Sequence, residues 1–345
     1  MSGVQTLTVG PDEGDQRLDR WLKRHFPQVT QGRIEKACRK GEIRIDGARA
    51  KSSTRVAPGQ KIRVPPLPAE GDVRPDLRDT RVSDEAAERI RAAVLYRDDH
   101  ILALNKPPGL ATQGGTGQAL HVDALAPALM FDAEEPPRLV HRLDKDTSGV
   151  LLMARGRTMA KALTDAFRAR DARKIYWAIC AGVPNPSGGT IRFGLVKSGH
   201  AGHEKMRAIH PGEVASTPDA RHATTDYAVI ERLASRAAWV ALVPVTGRTH
   251  QLRAHMAEIG HPIVGDGKYG GSGQENLGSG WGAQLGGDIS RKLHLHARSL
   301  SLLHPVTGRR LTLVAPLPDH MARSWQTLGW NPADAPADPF EDDPR

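Results

Sequence analysis

The sequence predicts an α+β protein of two folded units, a small basic module followed by a larger body in which helices interleave with short strands. Three observations carry that prediction. The chain has 345 residues, more than one core usually organises, so two or three domains are expected. Positive charge is concentrated near the start: residues 16 to 64 hold 14 Lys and Arg against 4 Asp and Glu, within a net charge of +9 for the whole chain. Apolar residues recur at helical spacing in some segments and alternate, or form short blocks, in others.

Several classes are set aside at once. Cys38 and Cys180 are far apart and in unlike contexts, which gives neither a disulfide framework nor a metal-ligand spacing. The opening MSGVQTLTVGPDEGD has no cationic stretch followed by an apolar one, and no apolar run reaches the length of a membrane span. A cytoplasmic protein off the membrane is expected, and nothing in the pattern asks for more than a monomer. No repeat of fixed period appears.

Residues 1 to 15 read as a flexible lead. From Gln16 to Phe26, Leu18, Trp21, Leu22 and Phe26 share one helical face while Arg17, Arg20, Lys23 and Arg24 fall mostly elsewhere, and Pro27 stops the helix. Thr30 is placed to cap a second helix with Ile34, Ala37 and Cys38 inward and Arg33, Lys36, Arg39 and Lys40 outward; Gly41 closes it. EIRID, a turn at Asp46-Gly47, and KIRVP follow as short alternating strands. A merely soluble face mixes acids with bases, so this excess of cations points to an acidic partner. The segments RLDRWL and GRIEKACRKGEIRIDG and the strand near Lys61 to Val64 resemble the S4 RNA-binding domain over residues 16 to 64. That resemblance implies that Arg33, Lys36, Arg39 and Lys40 meet RNA phosphates, which positions RNA without reading its sequence.

Residues 65 to 90 carry Pro, Asp and Arg with little periodicity and are assigned to a linker, with a helix from Asp84 to Ala93 leading out of it. The body is expected over 91 to 325. Val94 to Tyr96 and Ile101 to Asn105 read as strands joined by a tight turn. Gly114 to Gly117 reads as a mobile loop; it lacks the Lys-Ser/Thr of a P-loop and the spacing of a dinucleotide site. Thr158 to Arg170 makes an amphipathic helix with Met159, Ala162, Leu163, Ala166 and Phe167 inward, and Arg173 to Cys180 a strand. Between Pro184 and Thr217, loops and short strands are all that the Gly, Pro and Ser content supports. Asp226 to Leu233 and Ala237 to Val245 read as neighbouring strands, Arg248 to Ile259 as a helix, Gly270 to Gly287 as a long mobile excursion, and Leu293 to Leu303 as a strand. Residues 326 to 345 are assigned to an acidic, disordered tail.

Chemistry concentrates in HRLDKDTSG (141 to 149), RKIYWA (173 to 178) and TGRTHQLRAHM (246 to 256). Each stands at a strand or helix end, where an α/β enzyme gathers its functional side chains. The first lies before the apolar run Val150 to Met153, so its polar residues sit at the rim of a buried sheet. A carboxylate held there beside a cation stays ionised, which makes Asp144 a candidate nucleophile.

Together with NKPPG (105 to 109), GHPIVGDGKYG (260 to 270) and LHA (295 to 297), these segments resemble the pseudouridine synthase family, in the branch that modifies large-subunit ribosomal RNA. The resemblance spans about residues 91 to 320. It implies a mixed, mainly antiparallel sheet of the pseudouridine synthase type, and Asp144, Tyr176 and Arg253 as the catalytic set. Asp144 then acts at ribose C1′ as a nucleophile, or removes the C2′ proton to give a glycal; the residues leave both routes open. Arg253 is expected to pair with Asp144, Tyr176 to stack on the target base or ribose, and Arg142 to hold phosphate or fill the gap left by a flipped base. The isomerisation needs no redox step and no net hydrolysis, so neither cofactor nor metal is expected. The expected partner is 23S ribosomal RNA, free or in a large-subunit assembly intermediate.

Other readings are weaker. Asp144-Lys145-Asp146 is a lone D-x-D, His294 and His296 are spaced to share a metal but more often serve structure, and Ser148 lacks the G-x-S-x-G elbow of a hydrolase. At the level of function the alternatives are a non-catalytic ribosomal RNA assembly factor on the same fold, and a sibling synthase acting on transfer RNA.

Overall fold

A computed structural model describes residues 3–67, 82–114, 120–169, 171–199, 205–270 and 289–340. Most of the expected linker, of the glycine loop after Gly114 and of the excursion from Gly270 to Gly287 lies outside the described residues. The chain divides into two compact units, residues 1–81 and 82–345. No helix among the described residues is long and apolar enough to cross a membrane.

The first unit runs β1 (Gln5–Thr8), β2 (Gln16–Arg17), α1 (Leu18–His25), α2 (Gln31–Lys40), β3 (Arg44–Ile45), β4 (Ala48–Arg49), β5 (Arg55–Val56) and β6 (Lys61–Val64). Leu18, Trp21 and Leu22 of α1 and Ile34, Ala37 and Cys38 of α2 are buried in one core, as their spacing predicts. The Thr30 hydroxyl accepts from the Arg33 amide to cap α2, and Gly41 ends it in the left-handed conformation. Residues 3–15 are not a loose lead. β1 pairs antiparallel with β6, Gln5 opposite Val64 and Thr8 opposite Lys61. Val9 is buried, and Glu13 accepts from the Trp21 indole at 2.8 Å. A four-residue strand with one apolar position leaves no period to read; the open edge of β6 supplies the pairing.

The second unit runs α3 (Asp84–Ala92), β7 (Val94–Arg97), β8 (Ile101–Lys106), α4 (Val122–Leu125), β9 (Arg138–Leu139), β10 (Ser148–Ala154), α5 (Arg157–Ala169), β11 (Arg173–Ala181), β12 (Gly188–Ser198), β13 (Lys205–Ile209), β14 (Arg221–Leu233), β15 (Ala237–Pro244), α6 (Gln251–Glu258), β16 (Leu295–Leu303), β17 (Arg310–Val314) and α7 (Asp319–Thr327). They build an 11-stranded mixed sheet in the order β13-β12-β14-β15-β11-β16-β10-β8-β7, with β17 alongside β16 and β9 alongside β10. The β10–β16 pair is parallel, in a sheet whose other described pairs are antiparallel.

Period-two alternation makes two cores from the same central strands. Ile101, Ala103, Val150 and Leu152 pack with Met159 and Leu163 of α5. Their neighbours Leu102, Leu104, Leu151 and Met153 pack with Ile90 of α3 and Val122 and Leu125 of α4. Ala87 and Ile90 are therefore part of the body, and the linker stops short of residue 90. The expected disordered tail is also corrected over residues 326–340: Trp330 and Phe340 are buried with Trp239 and Trp325, and Asp338 pairs with Arg173 at 2.6 Å. Acidic composition concealed these two aromatic anchors. In the glycine-rich stretch after Pro184, β12 is 11 residues long, with Ile191 and Leu195 buried.

The parallel contact between β10 and β16 depends on Gly149, which has φ 109° and pairs with Ala297. A Cβ there would lie 2.2 Å from the Ala297 carbonyl oxygen. Gly149→Ala is expected to destabilise the second unit by at least about 2 kcal/mol, from overpacking plus the unfavourable φ. Urea unfolding checks this, and an unchanged midpoint would contradict it.

Candidate active site

The loop between β9 and β10 carries Asp144 and is tied down from several directions. His141 accepts from the Leu152 amide through Nε2 at 2.8 Å. Burial, and secondarily Lys174, pulls its pKa down to about 3, so the ring stays neutral and serves the loop. The Thr112 hydroxyl donates to the Leu143 carbonyl at 2.7 Å and accepts from the Leu143 amide at 3.1 Å. Lys106, wholly buried, donates to the carbonyls of Pro107, Leu110 and Lys145 at 2.9, 2.8 and 3.0 Å. Burial draws this ammonium down to about 7, against the opposing charges of Asp146 and Asp144. At the end of the loop His296 donates from Nε2 to the Ala315 carbonyl, which leaves Nδ1 to accept from the Ser148 hydroxyl at 2.9 Å. His294 is instead spent on Ser324 at 2.7 Å. NKPPG and LHA thus act as fasteners for the loop that holds Asp144.

Asp144 opens onto a cleft of about 770 Å³ lined also by Arg142, Lys174, Tyr176, Arg248, His250 and Arg253. Tyr176 comes from β11, where the register against β16 shifts: Ile175 lies opposite Ser299, but Tyr176 lies opposite Ala297. Such a bulge re-aims a side chain. Burial, then the charge of Asp144, raises the Tyr176 pKa, so the phenol keeps its proton. Arg253 and His250 come from α6 and the residue before it. The expected helix start at Arg248 gives way to a turn, because the Gln251 side chain accepts from the Thr246 hydroxyl and the Arg248 amide at 2.6 and 3.0 Å. His250 stands at the N-cap position of α6 with φ 51° and makes no side-chain capping bond.

The structure brings the expected catalytic set to one cleft, with Arg142 exposed on its rim. The expected pairing of Arg253 with Asp144 is present as a long ion pair, while the short bonds of the guanidinium go elsewhere. Arg253 makes its two-pronged bond to Asp266, from Nε and Nη2 at 2.7 Å each. Its Nη1 stands 3.7 Å from the Asp144 carboxylate, too far for a hydrogen bond. Burial works against the guanidinium charge, but Asp266 and then Asp144 outweigh it and raise the pKa. His250 Nε2 stands 3.9 Å from Asp144, and its Nδ1 meets the Tyr269 hydroxyl at 3.0 Å. Burial lowers the His250 pKa, with Asp144 opposing and Arg253 reinforcing.

Sequence reasoning assigned no role to Lys106, His250, Asp266 or Tyr269, although all four lie inside segments it singled out. Their partners are distant or irregularly spaced in sequence, so no period marks them. Of the basic residues expected to meet RNA in the first unit, Lys36 and Arg39 are exposed. Arg33 pairs with Glu42 at 2.9 Å, and Lys40 lies 3.9 Å from the same carboxylate, so part of that charge is already countered.

Comparison with known proteins gives the family of the chain. Residues 100–258 match the RNA pseudouridylate synthase family, and residues 16–62 match the S4 domain. Ribosomal large subunit pseudouridine synthase C of Escherichia coli strain K12 is 33% identical over 332 residues, covering 94% of this chain and 97% of the relative. The protein of the same name from Rickettsia felis is 35% identical over 306 residues, covering 88% and 93%. Among solved structures, human RNA pseudouridylate synthase domain containing 4 aligns with a TM-score of 0.58 at 31% identity, over 71% of this chain and 96% of that one. The chain belongs to the RNA pseudouridylate synthase family and carries an S4 domain ahead of its synthase domain.

Proposed function

We propose that this chain isomerises uridines of large-subunit ribosomal RNA to pseudouridine in the cytoplasm, with Asp144 as the acting carboxylate. The observation that carries the reading is the cleft itself. A carboxylate with a neutral phenol and a buried guanidinium around it opens between Arg142, Lys174 and Arg248. The RNA is taken from the large-subunit relatives.

In this reading the bond from ribose C1′ to uracil N1 breaks, the base turns, and C5 joins C1′ as the C5 hydrogen leaves to solvent. Asp144 attacks C1′ as N1 departs with the bonding electrons and is itself released when C5 joins C1′, or it takes the C2′ proton to give a glycal and returns that proton as C5 adds. Tyr176 covers the base, and N1 takes up a proton from solvent as C5 gives one up. Arg253 keeps a positive charge beside Asp144 in a partly dry site, where charge counts for more than in water. The target nucleotide leaves its stack to enter the cleft, and Arg142 on the rim meets the backbone it leaves behind. Incubating the protein with large-subunit RNA tritiated at uracil C5 tests this. Tritium release matched by pseudouridine formation is expected, whereas bound RNA without release supports an assembly factor, and release from transfer RNA alone supports the sibling substrate.

The S4 domain delivers the RNA through phosphate contacts. Changing Lys36 and Arg39 to Gln is expected to weaken binding and to flatten its salt dependence by roughly 0.7 to 0.9 for each phosphate no longer neutralised. Changing Arg33 or Lys40 is expected to do less, because Glu42 already engages both. An unchanged salt slope in the Lys36 and Arg39 variant would overturn this use of the surface.

A further inference from the structure

We propose that Asp266 is a positioning residue for the reaction: it takes the two-pronged guanidinium bond that Asp144 would otherwise receive, leaving Asp144 near a positive charge but free of a hydrogen bond to it. The inference rests on Asp144 being the acting carboxylate.

A guanidinium presents its donors as a rigid fork that matches a carboxylate edge. Arg253 commits the Nε and Nη2 edge to Asp266, and only Nη1 faces Asp144, at 3.7 Å. The Asp266 side chain is fully buried, so neither RNA nor solvent competes for it. Its Oδ1 also accepts from the amides of Lys268 and Tyr269 at 2.9 and 3.1 Å. The preceding Gly265, at φ 74°, lets the backbone pass where a Cβ would lie 2.0 Å from the Lys292 carbonyl oxygen. The Tyr269 ring lies 5.2 Å from the Arg253 guanidinium. Arg253 is thus held on two sides. Tyr269 holds off the second neighbour in the same way, since its hydroxyl engages His250 Nδ1 while Nε2 stays 3.9 Å from Asp144.

A carboxylate that must reach a ribose carbon or proton is hindered by being locked in a fork. With the charge of Asp266 gone, Arg253 has one acid left to bind, and its fork turns to Asp144. The reacting oxygen is then occupied and displaced, and a displacement of about 1 Å costs up to about a hundredfold in rate. RNA binding stays the same, because Asp266 does not reach the surface.

The test uses the full chain, large-subunit RNA tritiated at uracil C5, and the variants Asp266→Asn, Asp266→Ser and Asp266→Glu. Asn and Ser keep an acceptor for the Lys268 and Tyr269 amides while removing the charge; Glu keeps the charge. We expect kcat to fall by ten- to roughly a hundredfold in D266N with KM unchanged, and D266E to recover most of it. D266S gives the same reading if D266N does not fold. A folded D266N with wild-type kcat, or with a loss in KM alone, would overturn the proposal. So would failure of both D266N and D266S to fold, which assigns Asp266 to stability. An Asp144→Asn control that still releases tritium would instead remove the reading on which the proposal rests.

Discussion

Replacing Asp144 by asparagine is expected to abolish tritium release, by at least roughly a thousandfold in kcat, while RNA binding and folding persist. The two side chains are nearly the same size, so the cleft keeps its shape. What disappears is the negative charge, and with it the nucleophilic or basic oxygen that either route at the ribose requires. Stability is expected to change by less than about 1 kcal/mol, since the Asp144 side chain is 18% exposed and its approaches to Arg253 and His250 are long. Filter binding and thermal unfolding beside the release assay check all three. A variant that retains release would remove Asp144 from the chemistry; one that no longer binds RNA would make it a binding residue.

Replacing Arg253 by alanine is expected to produce the opposite pattern in stability. The Asp266 side chain is 0% exposed, and Arg253 is its ionic partner. Removing the cation leaves a buried carboxylate without a counter-charge, which costs about 3 to 5 kcal/mol. For a unit of this size that is a fall of roughly 10 °C in Tm. Activity is abolished as well, because the charge beside Asp144 goes with it. The double variant Arg253→Met with Asp266→Asn is expected to recover much of the stability and none of the activity. Equal melting temperatures for wild type and R253A would contradict the central place given to the buried pair.

These two acids show how far the sequence could be read. Asp144 was legible because a polar run sits directly before the apolar block Val150 to Met153. Asp266 sits among glycines, 13 residues from the arginine it binds, and nothing in its spacing distinguishes it from a turn residue. Lys106 is similar: a lysine beside two prolines reads as exposed, and only the fold shows it buried against backbone carbonyls. Helix faces and caps in the S4 domain were legible because Thr30, Gly41 and the Ile34, Ala37 and Cys38 spacing act locally. β1 and the segment from Trp330 to Phe340 were not, because β6 and the Trp177 and Trp239 they pack with are distant in sequence. The pairing of Arg253 with Asp144 was expected from the family resemblance of their two segments. The structure keeps the proximity and gives the bond to Asp266.

The most direct measurement of the central claim is stoichiometry. The intact chain is incubated with large-subunit ribosomal RNA tritiated at uracil C5, and released tritium is counted against pseudouridine recovered from the same RNA after digestion. One tritium released per pseudouridine formed, at a few sites, by the wild type and not by the Asp144→Asn protein, is the result predicted. Full binding of that RNA by the wild type with no release and no pseudouridine would contradict it.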